Sequence, residues 1–227
     1  MRGHRVRAFD RVPTPGVADA VVGDLTDAAA MQRAVADMKT VIHLAATPDD
    51  DEFFTQLLPN NVIGLYHVME TARRAGVQRV ILASTGQVNW WRNEQGPWPI
   101  GPDDPVSPRY WYAATKVMAE AIGRGYAETH GISVLAVRLG WCPRTPAQVQ
   151  EIAARELYQD VYLSPGDAGR FFAAAVEAPN VRFAIVYATS QPRHKPRFRL
   201  DSARELLGWE PREAWPTGIE VVLEKTS

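Results

Sequence analysis

Cysteine is almost missing from this chain of 227 residues: Cys142 is the only one, which excludes an internal disulfide framework. No set of Cys and His residues has zinc-ligand spacing, so a structural metal is not expected either. Charge of one sign is also missing. Twenty-five Lys and Arg face 26 Asp and Glu for a net charge of −1, and no basic stripe carries interleaved aromatics, which argues against a nucleic-acid partner. Long apolar runs are absent as well. Met1 is followed at once by Arg2, Gly3, His4 and Arg5, with no signal-peptide run and no membrane-spanning stretch, so the expectation is a cytoplasmic protein with no membrane partner. There is no internal repeat and no low-complexity tract.

What is present is an alternation of short β-branched runs and longer amphipathic stretches, the pattern of a parallel sheet covered on both faces by helices. The predicted strands are Arg5 to Phe9, Ala20 to Gly23, Thr40 to Leu44, Arg79 to Ala83, Ser133 to Arg138 and Ala184 to Ala188. Predicted helices cover Asp27 to Met38, Phe53 to Ala75, Tyr110 to His130 and Gly166 to Glu177, with Gly76 and Gly131 placed where helix ends use them. Asn89 to Arg109, rich in Trp, Pro, Gly and Asp, reads as a long loop serving a site. From Trp141 onward the alternation weakens and Pro143, Pro146, Pro192, Pro196, Pro211 and Pro216 accumulate. The expected division is therefore an α/β core over 1–140 and a smaller substrate-side lobe over 141–227 that also holds the last helix and strand of the core.

The strongest local signal is Tyr112-Ala113-Ala114-Thr115-Lys116, which on a helix sets a phenol and an ammonium one turn apart on one face. A lysine charge beside a tyrosine favours the phenolate, which lets the tyrosine act as a base. The plainer alternative is a lysine stem covering a half-buried tyrosine. Ser84 and Thr85 follow the apolar run Val80 to Ala83, so they stand at a strand's carboxyl end, where open α/β sheets bind ligands and a hydroxyl could orient a substrate oxygen.

Asp10 ends the first strand, where a carboxylate would accept from an adenosine ribose and repel a 2′-phosphate, favouring NAD over NADP; Arg11 beside it could tolerate that phosphate, and an ordinary turn residue is the other reading of Asp10. Asp24 could accept from an adenine amine, while Thr26 or Asp27 could simply cap the next helix. Ala45 and Ala46, after His43 and Leu44, would let a dinucleotide approach the backbone. His43 itself is expected to be packed.

These segments, in this order, together with Asn61-Val62-Ile63-Gly64 and Arg138-Leu139-Gly140, resemble the extended short-chain dehydrogenase/reductase family, also called the NAD-dependent epimerase/dehydratase family. The likeness runs nearly the whole chain, and within the family it is most similar to the uronate dehydrogenases through Arg138-Leu139-Gly140-Trp141-Cys142 and Leu206-Leu207-Gly208-Trp209-Glu210-Pro211. The resemblance implies a Rossmann-like doubly wound sheet and an NAD-dependent oxidoreductase acting on a sugar-like substrate, with epimerase or dehydratase chemistry, or a non-catalytic binding module, as alternatives. It implies Tyr112 as base, Lys116 lowering its pKa and holding the nicotinamide ribose, and Thr85 in the serine or threonine position. Cofactor positions would be Asp10, Arg11, Asp24, Leu25, Leu44, Ala45, Ala46, Asn61, Ala83, Ser84, Lys116 and Leu139. Substrate positions would be Thr85, Gln87, Trp141 and Gln150. A homodimer through the Tyr110 to His130 helix is a further implication, though its apolar stripe could equally be core.

The departures from the family pattern are as informative. Gly86 and Gln87 stand where uronate dehydrogenases carry an Asn-His pair, Trp141 replaces a serine, and the arginine that pairs the sugar carboxylate falls near Gln150, with Arg144 and Arg155 as substitutes. The expectation is another sugar or polyol, stacked on Trp141 and on the Trp90, Trp91 and Trp98 loop. Relatives open with a strand, a Gly-x-x-Gly-x-x-Gly turn and a helix ending in a segment like Arg2-Gly3-His4-Arg5-Val6, so the chain as given is about 25 residues short of a complete first unit. That predicts a gap beside the strand ending at Asp10 and weak cofactor binding. A start placed too late would explain it; a remnant that no longer catalyses is the alternative.

Overall fold

The computed structural model describes residues 3–223; Arg2 of the opening segment lies outside them. In chain order the elements are β1 (Ala8–Asp10), β2 (Ala20–Val22), α1 (Ala28–Val35), β3 (Thr40–His43), a π-helix (Phe53–Ile63) and α2 (Gly64–Arg74). There follow β4 (Arg79–Thr85), a 3₁₀ turn (Gly86–Asn89), α3 (Trp90–Gln95), α4 (Trp111–His130) and β5 (Ser133–Leu139). The chain closes with α5 (Pro146–Ala153), α6 (Glu156–Asp160), α7 (Pro165–Glu177), β6 (Phe183–Ala188), α8 (Asp201–Leu207) and α9 (Glu220–Leu223).

All strand pairs are parallel. β3-β4-β5-β6 form one ladder, and β1-β2 form a separate short one. The strand residues alternate between two cores, as a parallel sheet buried on both faces requires. Val80 and Leu82 of β4 and Val134 of β5 join Leu65, Val68 and Met69 of α2 and Ala119 and Ala127 of α4 on one face. Ile81, Leu135 and Val137 join Phe171 and Ala175 of α7, with Leu163 and Trp209, on the other. The buried stripe of α4 is thus core, while Trp111 and Ile122 remain on its exposed side. Phe9 and Val41 both pack on the first core, so the two ladders share it without a strand between them among the described residues. β1 and β3 are not paired with each other.

Three sequence expectations need correction. The helix expected from Phe53 to Ala75 begins as a π-helix: Pro59 sits within it, lacking an N–H and clashing with regular α-helical pairing, and the Gly64 N–H reaches back to the Pro59 carbonyl. The segment from Asn89 is not all loop, since it holds α3, ended by Gly96 at φ 78°. β4 and β5 extend one or two residues further than expected, to Thr85 and Leu139, carrying the ladder into the site. Gly131, with φ 70° at the C-cap of α4, has the left-handed conformation a glycine takes at low cost.

Candidate active site

The loops leaving the carboxyl ends of β3, β4 and β5 surround a cleft of about 460 Å³, whose walls include Tyr112, Lys116, Thr85, Gln87, Trp141 and Asp49. Tyr112 is in the first turn of α4, a helix whose own N-cap, Tyr110, provides no side-chain hydrogen bond. Asp50, from the loop after β3, does so instead, its Oδ1 accepting from the Tyr112 N–H at 3.2 Å. Asn61 fastens the same loop from below. Its Oδ1 accepts from the Thr47 N–H at 2.8 Å, and its Nδ2 donates to the Thr47 carbonyl and to Thr115 Oγ1, both at 3.2 Å.

Lys116 lies one turn beyond Tyr112, buried, with Nζ donating to the Ala83 carbonyl at 3.0 Å. Nζ is 5.7 Å from the centre of the Tyr112 ring. Burial holds this lysine down to about 8. The phenol moves the other way. Burial and then the Asp49 carboxylate push Tyr112 up to about 12, against smaller lowering effects from a side-chain hydrogen bond with Thr85 and the charge of Arg144. The sequence expectation that Lys116 lowers the phenol is not met by this geometry, because desolvation of a buried phenol is the larger effect and Asp49 adds to it. His43 is half-buried and kept neutral, its pKa near 3 through burial and the charge of Lys116.

Beneath the cleft runs a buried polar network. Arg138 of β5 pairs with Glu120 of α4 through Nε–Oε1 and Nη2–Oε2, both 2.9 Å, and Glu120 Oε1 also accepts from Ser84 Oγ at 2.6 Å. Arg138 Nη1 donates to Asn89 Oδ1 and to the Tyr187 hydroxyl, which donates to the same Asn89 oxygen at 2.7 Å. Above it, across the mouth, Arg144 Nη2 meets Asp49 Oδ2 at 2.5 Å and Gln87 Nε2 donates to Asp49 Oδ1 at 3.3 Å. Cys142 also lines the cleft, but burial pushes its thiol up to about 12, so it is no nucleophile near neutrality. Among the described residues no cluster of His, Cys, Asp and Glu could hold a metal ion, and no helix is long and apolar enough to cross a membrane.

Residues 1–141 match the model of the NAD dependent epimerase/dehydratase family. The chain belongs to that family of enzymes. It is 30% identical to an L-arabinose 1-dehydrogenase (NAD(P)(+)) of Haloferax volcanii over 89% of this chain and 85% of that protein. It is 27% identical to a uronate dehydrogenase of Agrobacterium fabrum over 84% of this chain and 67% of the relative. Among solved structures, the fold resembles glucuronic acid dehydrogenase from Chromohalobacter salexigens with a TM-score of 0.78 at 26% identity, covering 99% of this chain and 81% of that one. A mutant uronate dehydrogenase from Agrobacterium tumefaciens complexed with NAD gives a TM-score of 0.75 at 26% identity, covering 97% and 80% of the two chains.

For this epimerase/dehydratase-family chain, the sequence-derived residues sort by position. Tyr112, Lys116, Thr85, Ser84, Ala83, Leu44, Ala46, Gln87, Leu139 and Trp141 all line the one cleft. Lys116 has three N–H donors and one hydrogen bond to the protein, so its buried ammonium can still serve a ligand hydroxyl in the cleft; in that respect the site fits a dinucleotide ribose. Ala45 is exposed but is not part of the lining. Asp10 and Arg11 stand exposed at the end of β1, where Asp10 Oδ1 accepts from the Val12 N–H at 3.2 Å. Asp24 Oδ1 accepts from both the N–H and the hydroxyl of Thr26, and Asp27 caps α1.

Other expectations are corrected. Leu25 is a core side chain, and the amide of Asn61 is spent on Thr47 and Thr115, because each is needed to close the interior. The Ser84 hydroxyl is likewise committed, to Glu120. Gln150 is on the exposed side of α5 and outside the cleft; Gln148, two residues earlier, lines it. Of the tryptophan loop only Trp90 reaches the cleft, while Trp91 is exposed and Trp98 packs against Ile100 and lies under Arg197. Arg155 is taken by Glu94 and Tyr158. Asp49, Asp50 and Glu120 were missed. Glu120 left a signal, lying four residues after Lys116 on the same helical face; Asp49 and Asp50 left none, since only the tertiary fold brings them to Tyr112.

Proposed function

We propose that this protein oxidises a hydroxyl group of a sugar or sugar-derived substrate with NAD, Tyr112 acting as the base. The observation that carries the reading is the meeting of Tyr112, Thr85 and Lys116 on the wall of one cleft at the carboxyl ends of β4 and β5, where a parallel sheet receives ligands. Sugar dehydrogenases among the relatives support the substrate class. NAD, when bound, supplies hydride acceptance.

The protein's own groups do the rest. Tyr112 Oη takes the proton of the reacting hydroxyl, and Thr85 Oγ1 hydrogen-bonds and orients that oxygen. Lys116 Nζ, anchored on the Ala83 carbonyl, keeps N–H donors free for ribose hydroxyls. Trp141 and Trp90 give apolar faces for the C–H side of a sugar ring and narrow the access of water. Replacing Tyr112 with Phe removes the base and leaves the ring, so kcat/KM for NADH formation with L-arabinose should fall by about 10²- to 10⁴-fold. A Tyr112→Phe enzyme within tenfold of the original would sink the assignment.

A further inference from the structure

We infer that Asp49 sets substrate charge: by holding Arg144 in an ion pair across the mouth of the cleft, it makes the site select uncharged sugars and reject sugar acids. The inference rests on the sugar-oxidoreductase reading and deepens it.

The cleft lining carries four acidic residues, Asp49, Asp50, Glu94 and Glu151, against two basic ones, Lys116 and Arg144. Lys116 is anchored deep on the Ala83 carbonyl. Arg144 is therefore the cation of the lining placed to meet a substrate carboxylate, and its guanidinium is already joined to Asp49 Oδ2 at 2.5 Å. An incoming carboxylate would have to displace Asp49 and then lie beside it, two like charges in contact. A neutral polyol meets no such repulsion. Asp49 Oδ1 holds only the 3.3 Å contact from Gln87 and is an acceptor for a sugar hydroxyl, with the Gln87 amide beside it.

The position of Asp49 is built rather than incidental. Its neighbour Asp50 is tied to the N–H of Tyr112, and Asp49 itself adopts a left-handed φ of 63°, a conformation uncommon outside glycine. On the far side, the Arg144 N–H donates to Gln148 Oε1 at 2.7 Å, so the backbone beneath the guanidinium is held by a second cleft residue. The ion pair thus joins the loops after β3 and β5 in the cleft that Tyr112 also lines, near enough for both charges to act on the phenol.

The test compares L-arabinose with D-galacturonate, both by saturation-transfer NMR in the presence of NAD and by rate of NADH formation. The proteins are the original, Asp49→Asn, and Asp49→Asn combined with Arg144→Gln. Both side chains are about half exposed, 54% and 48%, so the substitutions leave the core untouched. The original should bind L-arabinose at least tenfold more tightly than D-galacturonate. Asp49→Asn, which removes the negative charge paired with Arg144, should shift that ratio at least tenfold toward the acid, and the double variant should lose the shift. Equal binding of the two sugars by the original, a ratio in Asp49→Asn moved by less than threefold, retention of the shift in the double variant, or no binding of either sugar would each overturn the inference. Failure of the oxidoreductase reading looks different: the binding ratio shifts while no NADH forms.

Discussion

At the residue scale, the decisive quantity is the proton affinity of the Tyr112 phenol. Burial and Asp49 hold it near 12, so in the unliganded site little phenolate exists at neutral pH. An oxidation that needs the base form should speed up with pH, and kcat/KM should climb between about pH 7 and 10 without a plateau. Removing the Asp49 charge lowers the phenol, so Asp49→Asn should move this rising limb to lower pH; a limb that stays put would show that Asp49 does not act on Tyr112. The Arg138–Glu120 pair supports a prediction of a different kind. Both residues are almost wholly buried, and deleting one partner leaves the other's charge without a counterion. Glu120→Ala should cost about 3–5 kcal/mol in urea unfolding, and a loss below about 1 kcal/mol would mean that water replaces the carboxylate. At this scale the proposed catalytic set was legible because Tyr112 and Lys116 lie one helical turn apart and Ser84 and Thr85 together follow the apolar run Val80 to Ala83. Asp49 and Asp50 were not legible, because what they do depends on a contact across 62 residues of chain between Asp50 and Tyr112.

At the scale of elements, reading improves with length and periodicity. α4 and α7 have buried stripes running several turns, and each was expected to within one residue of its observed limits. α3 has six residues, too few to show a period, and was hidden among tryptophans and prolines that resemble loop composition. Gln150 was misplaced for a related reason: on α5 the inward positions are Val149 and Ile152, and no spacing rule fixes how a loop feeds into that register. Strand length also has a dynamic consequence. β1 and β2 have three residues each and pair only with each other, whereas β4 and β5 share a seven-residue register between other strands. Amide hydrogen exchange over Ala8–Asp10 and Ala20–Val22 should be at least about 100-fold faster than over Val134–Val137. Equal protection would mean that the two ladders open as one unit.

At the scale of the molecule, a parallel sheet covered by helices on both faces followed from alternation, its Rossmann-like form from the family resemblance, and the order of strands in the main ladder is the order in the chain. The division between β1 and β3 could be anticipated only from the family resemblance, because no local pattern in either strand announces which neighbour it should have. The two levels of the cleft have a consequence for how such a protein can change. Its floor is cross-braced by Glu120, Arg138, Asn89 and Tyr187 inside the core, while the groups at its rim, Asp49 and Arg144 on loops, Gln87 on the 3₁₀ turn and Gln148 in the first turn of α5, hydrogen-bond to one another. Rim residues can therefore be exchanged at small cost to folding, and the chain can acquire a taste for a new substrate by drift at a few loop positions while the scaffold beneath it tolerates the experiment.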